Sequence, residues 1–256
     1  MKKPDKKQDK DKTVSIIGWG KFKVASSGEK EFQESFNNQN ILNNEETAVS
    51  AQNPNKIGDN VMIEYKIIGE QEWMTENLNV STFRNGDPIL ETKSDEEWIS
   101  AGKEGIPAWC YYDNDPENGD KYGKLFNWYA VGDPRGLAPE GWHVPTDEEW
   151  TDLIDFLGGG HMASIKMMSI KESDWDDEWT GNNESGFNGI PGGIRTCELD
   201  VPEFMNKGYT AFYWSSSQYA TYHCWYRSFP SEDSGVYRDA DEGGKEEGMA
   251  VRCIKN

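Results

Sequence analysis

The 256-residue sequence has no run of about 18 apolar residues, the length a membrane-spanning helix needs, so no segment is expected to cross a bilayer. It has no excess of basic residues either. The formal net charge is -20, and the first twelve residues, with six Lys and three Asp, mask part of it, leaving -23 on residues 13–256. A body that acidic repels the phosphate backbone and anionic lipid, which excludes nucleic-acid binding and charge-driven membrane docking as leading functions. The N-terminal residues lack the apolar core of a signal peptide, Lys and Asp alternating through Lys12, which fits a cytoplasmic chain or one already processed.

Four Cys at 110, 197, 224 and 253 form no Cys-x-x-Cys, so zinc-ribbon and thioredoxin readings fail, while free thiols or one or two disulfides remain open. Only three His occur, at 143, 161 and 223, none at a metal-ligand spacing, so no zinc is expected. His143 reads as a packing or hydrogen-bonding residue. Ser215, Ser216 and Ser217 lie near His223, but no Gly-x-Ser-x-Gly elbow surrounds them, and a hydrolase is not supported.

What is present begins with a helix signal. Thr146 and Glu149 form a capping box, Asp147, Glu148 and Glu149 complement the helix dipole, and Trp150, Leu153, Ile154 and Leu157 make one buried stripe. Gly158 and Gly159 supply the stop, so the spacing predicts a helix over 147–157. Ser94 to Glu97 repeats the capping logic before Trp98. Val61–Ile68 and Gln71–Glu76 flank Gly69-Glu70 as a hairpin, and Asn85-Gly86 marks a second turn. Further strands are expected at Ala108–Tyr112, Lys124–Val131, Ala211–Ser216, Tyr222–Phe229 and Met249–Ile254, with 171–206 as loop. This order favours an α+β fold over a doubly wound sheet. Residues 1–57 read as a polar tail or linker, with one short strand at 14–24 as an option, ahead of a domain over 58–256.

Gln71–Leu78, Tyr122–Ala130, Gly141–Trp150, Glu184–Phe187 with Pro191–Gly193, Tyr213–Ser216 and Val251–Cys253 together resemble the Fibrobacter succinogenes major paralogous domain, from about Asn60 to Asn256. The resemblance implies a C-type lectin-like fold, with two main helices flanking twisted antiparallel sheets and long loops carrying any ligand site, and an extracytoplasmic setting, family members usually being secreted or lipid-anchored at the bacterial cell surface. No reaction comes with it. Val144–Trp150 is also similar to the Leu-Pro-Thr-Glu-x-Glu-Trp segment of formylglycine-generating enzymes. Those use two closely spaced late Cys to bind copper, whereas Cys197 and Cys224 here are 27 positions apart. The family often has Cys where this chain has Ala138, a residue whose implied role is to pair with the Cys of the last strand, here Cys253. Cys253 is therefore expected free or joined to another of the three thiols.

Eleven Trp, eleven Tyr and ten Phe are expected mostly in the core, with a few on loops able to stack on sugar rings. Trp175, Trp179, Asn182, Asn183, Glu184, Tyr222, Trp225 and Arg227 are the ligand-binding candidates. The segment Asp113-Asn-Asp115-Pro-Glu117-Asn-Gly119-Asp120 places oxygens at alternate positions and keeps calcium open at Asp113, Asp115 and Asp120, although Asn118 and Lys124 depart from an EF-hand loop. Asp174–Trp179 and Asp239–Glu242 read as solvated acidic loops. No catalytic residue and no other cofactor is expected; Thr146, Glu149, Trp150 and Cys253 are structural. The expected function is a non-catalytic binding or adhesion module for a glycan or another surface protein. A formylglycine-generating-like oxidase and a structural surface-assembly module are the alternatives.

Overall fold

The computed structural model describes residues 63–171, 174–176, 181–197, 201–231, 235–240 and 244–256 with their side chains, and four two-residue strands before them. The chain divides into two units, Met1–Ala48 and Val49–Asn256. In the first, β1 (Val14–Ser15) pairs antiparallel with β2 (Lys21–Phe22). The rest of the segment read as a polar tail lies outside the described residues.

The second unit opens with β3 (Lys56–Ile57) and β4 (Val61–Met62), then β5 (Tyr65–Ile68) and β6 (Gln71–Met74). The expected first strand is thus split, Val61–Met62 pairing back on β3 and only Tyr65–Ile68 entering the hairpin with β6. Gly69 turns this hairpin at φ 66°, with the Phe156 ring 3.1 Å from where a Cβ would stand. Next come β7 (Leu90–Glu91), α1 (Asp95–Glu104), β8 (Ala108–Cys110), α2 (Pro116–Tyr122), β9 (Leu125–Phe126), α3 (Trp128–Val131) and β10 (Trp142–His143). Then follow α4 (Asp147–Phe156), α5 (Gly160–Met167), β11 (Gly192–Thr196), β12 (Glu203–Lys207), β13 (Thr210–Gln218), β14 (Cys224–Pro230), β15 (Tyr237–Asp239) and β16 (Ile254–Lys255).

Three sheets organise this α+β unit, in the orders β10-β16-β6-β5, β12-β11-β13-β14-β15 and β7-β8-β9. The first is antiparallel throughout. The other two are mixed, with parallel contacts only at β11–β13 and β7–β8.

Helix α4 forms as its sequence dictates. Thr146 Oγ1 accepts from the Glu149 amide at 3.2 Å, and the Glu149 carboxylate accepts from the Thr146 amide at 2.8 Å. The His143 ring links the other Glu149 oxygen to Asn256 Oδ1, each at 2.8 Å. Trp150 is fully buried against Trp73, Phe187, Tyr213 and Phe229, its centroid 4.8 Å from that of Trp73. Its indole N–H donates to the Trp214 carbonyl, so the helix stripe, the hairpin and β13 share one aromatic core. Trp73, Trp98, Trp109, Trp142, Trp150, Trp175 and Trp214 are all buried, which assigns most of the tryptophan signal to packing.

Four expectations are corrected. Lys124–Val131 is not one strand: Asn127 caps α3 by accepting from the Ala130 amide and ends pairing after Phe126. The oxygen-rich segment after Tyr112, for which no helix is expected, contains one. Asp115 caps α2 and Pro116 occupies its first turn, where a missing N–H costs nothing. The 171–206 segment is not all loop, because β11 and the polar edge strand β12 form within it. Met249–Ile254 is not one strand, since Met249 and Ala250 make single bridges to Phe126 and Tyr213 and regular pairing is confined to β16. Helix α5, capped by Gly159 without a side-chain acceptor, carries none of the start signals that announce α4.

None of the four cysteines is in a disulfide, and all are buried. Burial pushes the thiols up, Cys110 to about 11 and Cys224 and Cys253 to about 12. Since the thiolate is the reactive species, no cysteine is expected to react with a disulfide reagent in the native protein at pH 8. All four should titrate in denaturant. One fast-reacting native thiol would contradict this burial.

Candidate functional site

A polar cleft of about 430 Å3 opens where the end of β6, the C-terminal turn of α2, Lys171, Asp174, Asn188 and Ile190 meet. Its lining residue Asn77 is held by Arg252, whose side chain is fully buried behind the cleft and does not line it. The guanidinium donates to Asn77 Oδ1 at 2.6 and 3.2 Å, to the Met74 carbonyl at 3.1 Å and to the Phe187 carbonyl. It also stacks on the Phe187 ring at 4.4 Å. Burial pulls its pKa below the usual arginine value, with Tyr213 and the other surrounding groups offsetting part of the shift. Asn77 is held at its other end as well, donating to the Tyr122 carbonyl at 2.9 Å. Both polar ends of the Asn77 amide are thus committed to the scaffold.

One wall is built around Asp174, which is 6% exposed. One of its oxygens accepts from Ser169 Oγ at 2.7 Å and the other pairs with Lys121 at 3.1 Å. Burial works against the Lys121 ammonium, but its bonds to Tyr122 and Asp174 outweigh this and raise its pKa. Trp175 is buried and its indole donates to Ser169, so its ring belongs to this wall's support. Asp174 and Trp175 are therefore corrected from a solvated loop to buried positions.

The remaining lining is less committed. Glu76, Asp120 and Lys171 are exposed and form no ion pair with another described residue. Asn79 donates to the Gly119 carbonyl at 3.3 Å from an exposed position. Asn188 stands at φ 57°, its amide N–H donating to Asn183 Oδ1 at 2.8 Å. The cleft offers amide and carboxylate groups on a fixed floor, an arrangement suited to hydrogen-bonding a hydroxyl-rich ligand.

The sequence candidates separate into several places. Asn182, Asn183 and Glu184 shape the turn that presents Asn188: Asn182 Oδ1 accepts from the Glu184 amide, and the Glu184 carboxylate lies 3.8 Å from Lys166. Trp179 lies outside the described residues. Tyr222, 72% exposed, sits in the turn between β13 and β14. Trp225 on β14 is half-buried, with Tyr219 at 4.7 Å on its edge and the Arg238 guanidinium 3.4 Å above its ring. Arg227 points inward, fully buried, and pairs with Asp147 at 2.8 Å. It is thus unavailable as a surface ligand contact.

Asp113, Asp115 and Asp120 also diverge, Asp113 to Lys207 at 3.5 Å, Asp115 to the α2 cap and Asp120 to the cleft lining. Among the described residues no group of three His, Cys, Asp or Glu is placed to hold a metal ion, and no helix is long and apolar enough to cross a membrane.

Glu76, Asn77, Asn79, Lys121, Lys171, Asp174 and Asn188 in the lining, and Arg252 behind it, are the residues that sequence reasoning did not select. A signal was available. Arg252 lies in the Val251–Cys253 motif, and its contacts fall at Met74 and Asn77 of the Gln71–Leu78 motif and at Phe187 of the Glu184–Phe187 motif.

No curated protein and no solved structure matches this chain. The family model described as the Fibrobacter succinogenes major domain matches residues 67–255, which include every residue lining the cleft. The chain belongs to the Fibrobacter succinogenes major domain family.

Proposed function

We propose that this protein is a non-catalytic binding module that takes a hydroxyl-rich glycan in the cleft over Arg252. One observation carries the reading. The cleft sets amide and carboxylate groups around a floor whose own polar groups are already hydrogen-bonded. A preorganised polar site binds without first ordering its own side chains. The acidic balance of the chain disfavours phosphorylated partners.

The architecture is the C-type lectin-like one on this reading. Two ten-residue helices, short sheets that are mostly antiparallel and long connecting loops support it. The setting is extracytoplasmic, as the family resemblance implies, and the natural partner is a cell-surface or plant polysaccharide. Burial of all four thiols favours this reading over a copper-thiolate oxidase, which needs two sulfurs within reach of solvent and substrate.

A glycan array followed by calorimetry on the hits tests the proposal. Asn79→Trp fills the cleft from an exposed position and should weaken binding at least about tenfold, or ~1.4 kcal/mol, with an unchanged melting temperature. Tyr222→Ala, at the β13–β14 turn, should leave affinity unchanged. No binding across the array, or loss of binding on Tyr222→Ala alone, would remove the cleft as the site.

A further inference from the structure

We infer that the cleft selects glycans by charge, preferring sugars with a free amino group over their N-acetylated counterparts and rejecting uronates. This rests on the glycan reading above and sharpens it. The cleft is lined by three carboxylates, Glu76, Asp120 and Asp174, and by two ammonium groups, Lys121 and Lys171. These are not equally available to a ligand. Lys121 and Asp174 neutralise each other at 3.1 Å in the wall, where Asp174 is nearly buried and is also held by Ser169.

Glu76 and Asp120 remain, exposed and without a described cation in ion-pair distance, against Lys171 alone. The exposed lining groups that can meet a ligand therefore sum to -1, with the Arg252 cation fully buried behind Asn77 and outside the lining, within a chain of net charge -20. A concave site concentrates such a field relative to a flat surface. An ammonium on a sugar ring keeps its hydroxyl neighbours for Asn79 and Asn188 while adding an attraction to Glu76 and Asp120. Replacing it with an acetamide removes that attraction, and a carboxylate reverses it.

The experiment compares three tetrasaccharides by calorimetry with the intact protein: β-1,4-linked glucosamine, its N-acetylated form, and galacturonate. Glucosamine tetramer should bind roughly three- to tenfold more tightly than the acetylated form, and the galacturonate should not bind. The preference should shrink between low and high salt, as an exposed charge contact does. The Glu76→Gln, Asp120→Asn double variant should lose the preference for the amino tetramer, since Lys171 alone remains among the exposed charges counted, with an unchanged melting temperature because both side chains are exposed. Its net charge is still strongly negative, so a preference surviving in it reports the charge of the whole chain and overturns the assignment to the cleft. Equal or tighter binding of the galacturonate or the acetylated tetramer overturns the charge selection and leaves the glycan reading standing. If none of the three binds while the array yields another saccharide, the selection falls alone; if no saccharide binds at all, both fall.

Discussion

Arg252→Ala is expected to lower the stability of the family domain by about 4 kcal/mol, because each buried acceptor that loses its donor costs roughly 1–3 kcal/mol. The substitution strips donors from Asn77 Oδ1 and from the Met74 and Phe187 carbonyls at once, and removes the plane stacked on Phe187. Water entering the cleft floor recovers part of the loss, which is why the expected total stays below the sum. For a domain of this size the melting temperature should fall by roughly 10 °C, at about 2–4 °C per kcal/mol. Arg252→Lys keeps the charge but replaces a planar fork by one point donor, so it should recover less than half the loss. A shift under about 2 °C for Arg252→Ala would mean that the three acceptors are satisfied without it. Glycan affinity should fall in parallel, since Asn77 would no longer be fixed from below.

The sequence was most informative where local chemistry decides structure by itself. The Thr146–Glu149 box, the Ser94 cap and the Gly69 turn are all formed, because each needs only residues within a few positions of one another. Ser94 shows the limit of such reading: it accepts from the Glu97 amide, but the Glu97 carboxylate reaches the Lys93 amide, one residue before the cap. Misreadings fell where two local meanings compete. Asp115-Pro116-Glu117 serves equally as a ligand spacing and a helix start, and the helix prevails because Asp115 can cap it. Asn127 likewise ends a hydrophobic run that periodicity alone would extend.

The candidate site was hidden for a different reason. The network that holds Asn77 in its lining joins residues 77, 187 and 252, separated by more than sixty positions at each step, and no periodicity links them. Surface-aromatic logic pointed to Trp175, Trp225 and Arg227, but Trp175 and Arg227 are buried and Trp225 is covered by Arg238. The residues that line the cleft are mostly short and polar, the types that read as loop when taken one at a time. What could be read was the grouping of motifs: Gln71–Leu78, Tyr122–Ala130, Glu184–Phe187 and Val251–Cys253 each place at least one residue at or beneath the cleft.

The second large effect is expected at Asp147, on the opposite logic of a charge that must be kept. Its carboxylate holds two guanidinium groups at 2.8 Å: Arg227, fully buried, and Arg238, which lies over Trp225. Burial alone would raise the Asp147 pKa, but hydrogen bonds and charge from Arg238 and Arg227 outweigh it and hold the group below 3.8. Arg227 is pulled down by burial and held up mainly by Asp147. Asp147→Asn leaves that guanidinium buried without its counter-charge, a change that typically costs ~3–5 kcal/mol. Denaturant titration at pH 7 should show this loss with an unchanged slope, whereas a loss under about 1 kcal/mol would mean that Arg227 finds water or another acceptor. Acid should reproduce part of the effect. Asp133, held down by Arg135 against the effect of burial, and Glu149, held down by the Thr146 amide and His143 against the same effect, share the direction of Asp147. A carboxylate whose folded pKa is depressed contributes stability that is complete above its unfolded pKa and disappears as pH falls through the folded value. With ordinary values of 3.8 and 4.5 for these groups, stability should begin to fall below about pH 4.5, and Asp147→Asn should flatten that acid limb because one of the three protonations no longer differs between folded and unfolded chains. An acid limb equally steep in the variant would place the linkage in other carboxylates.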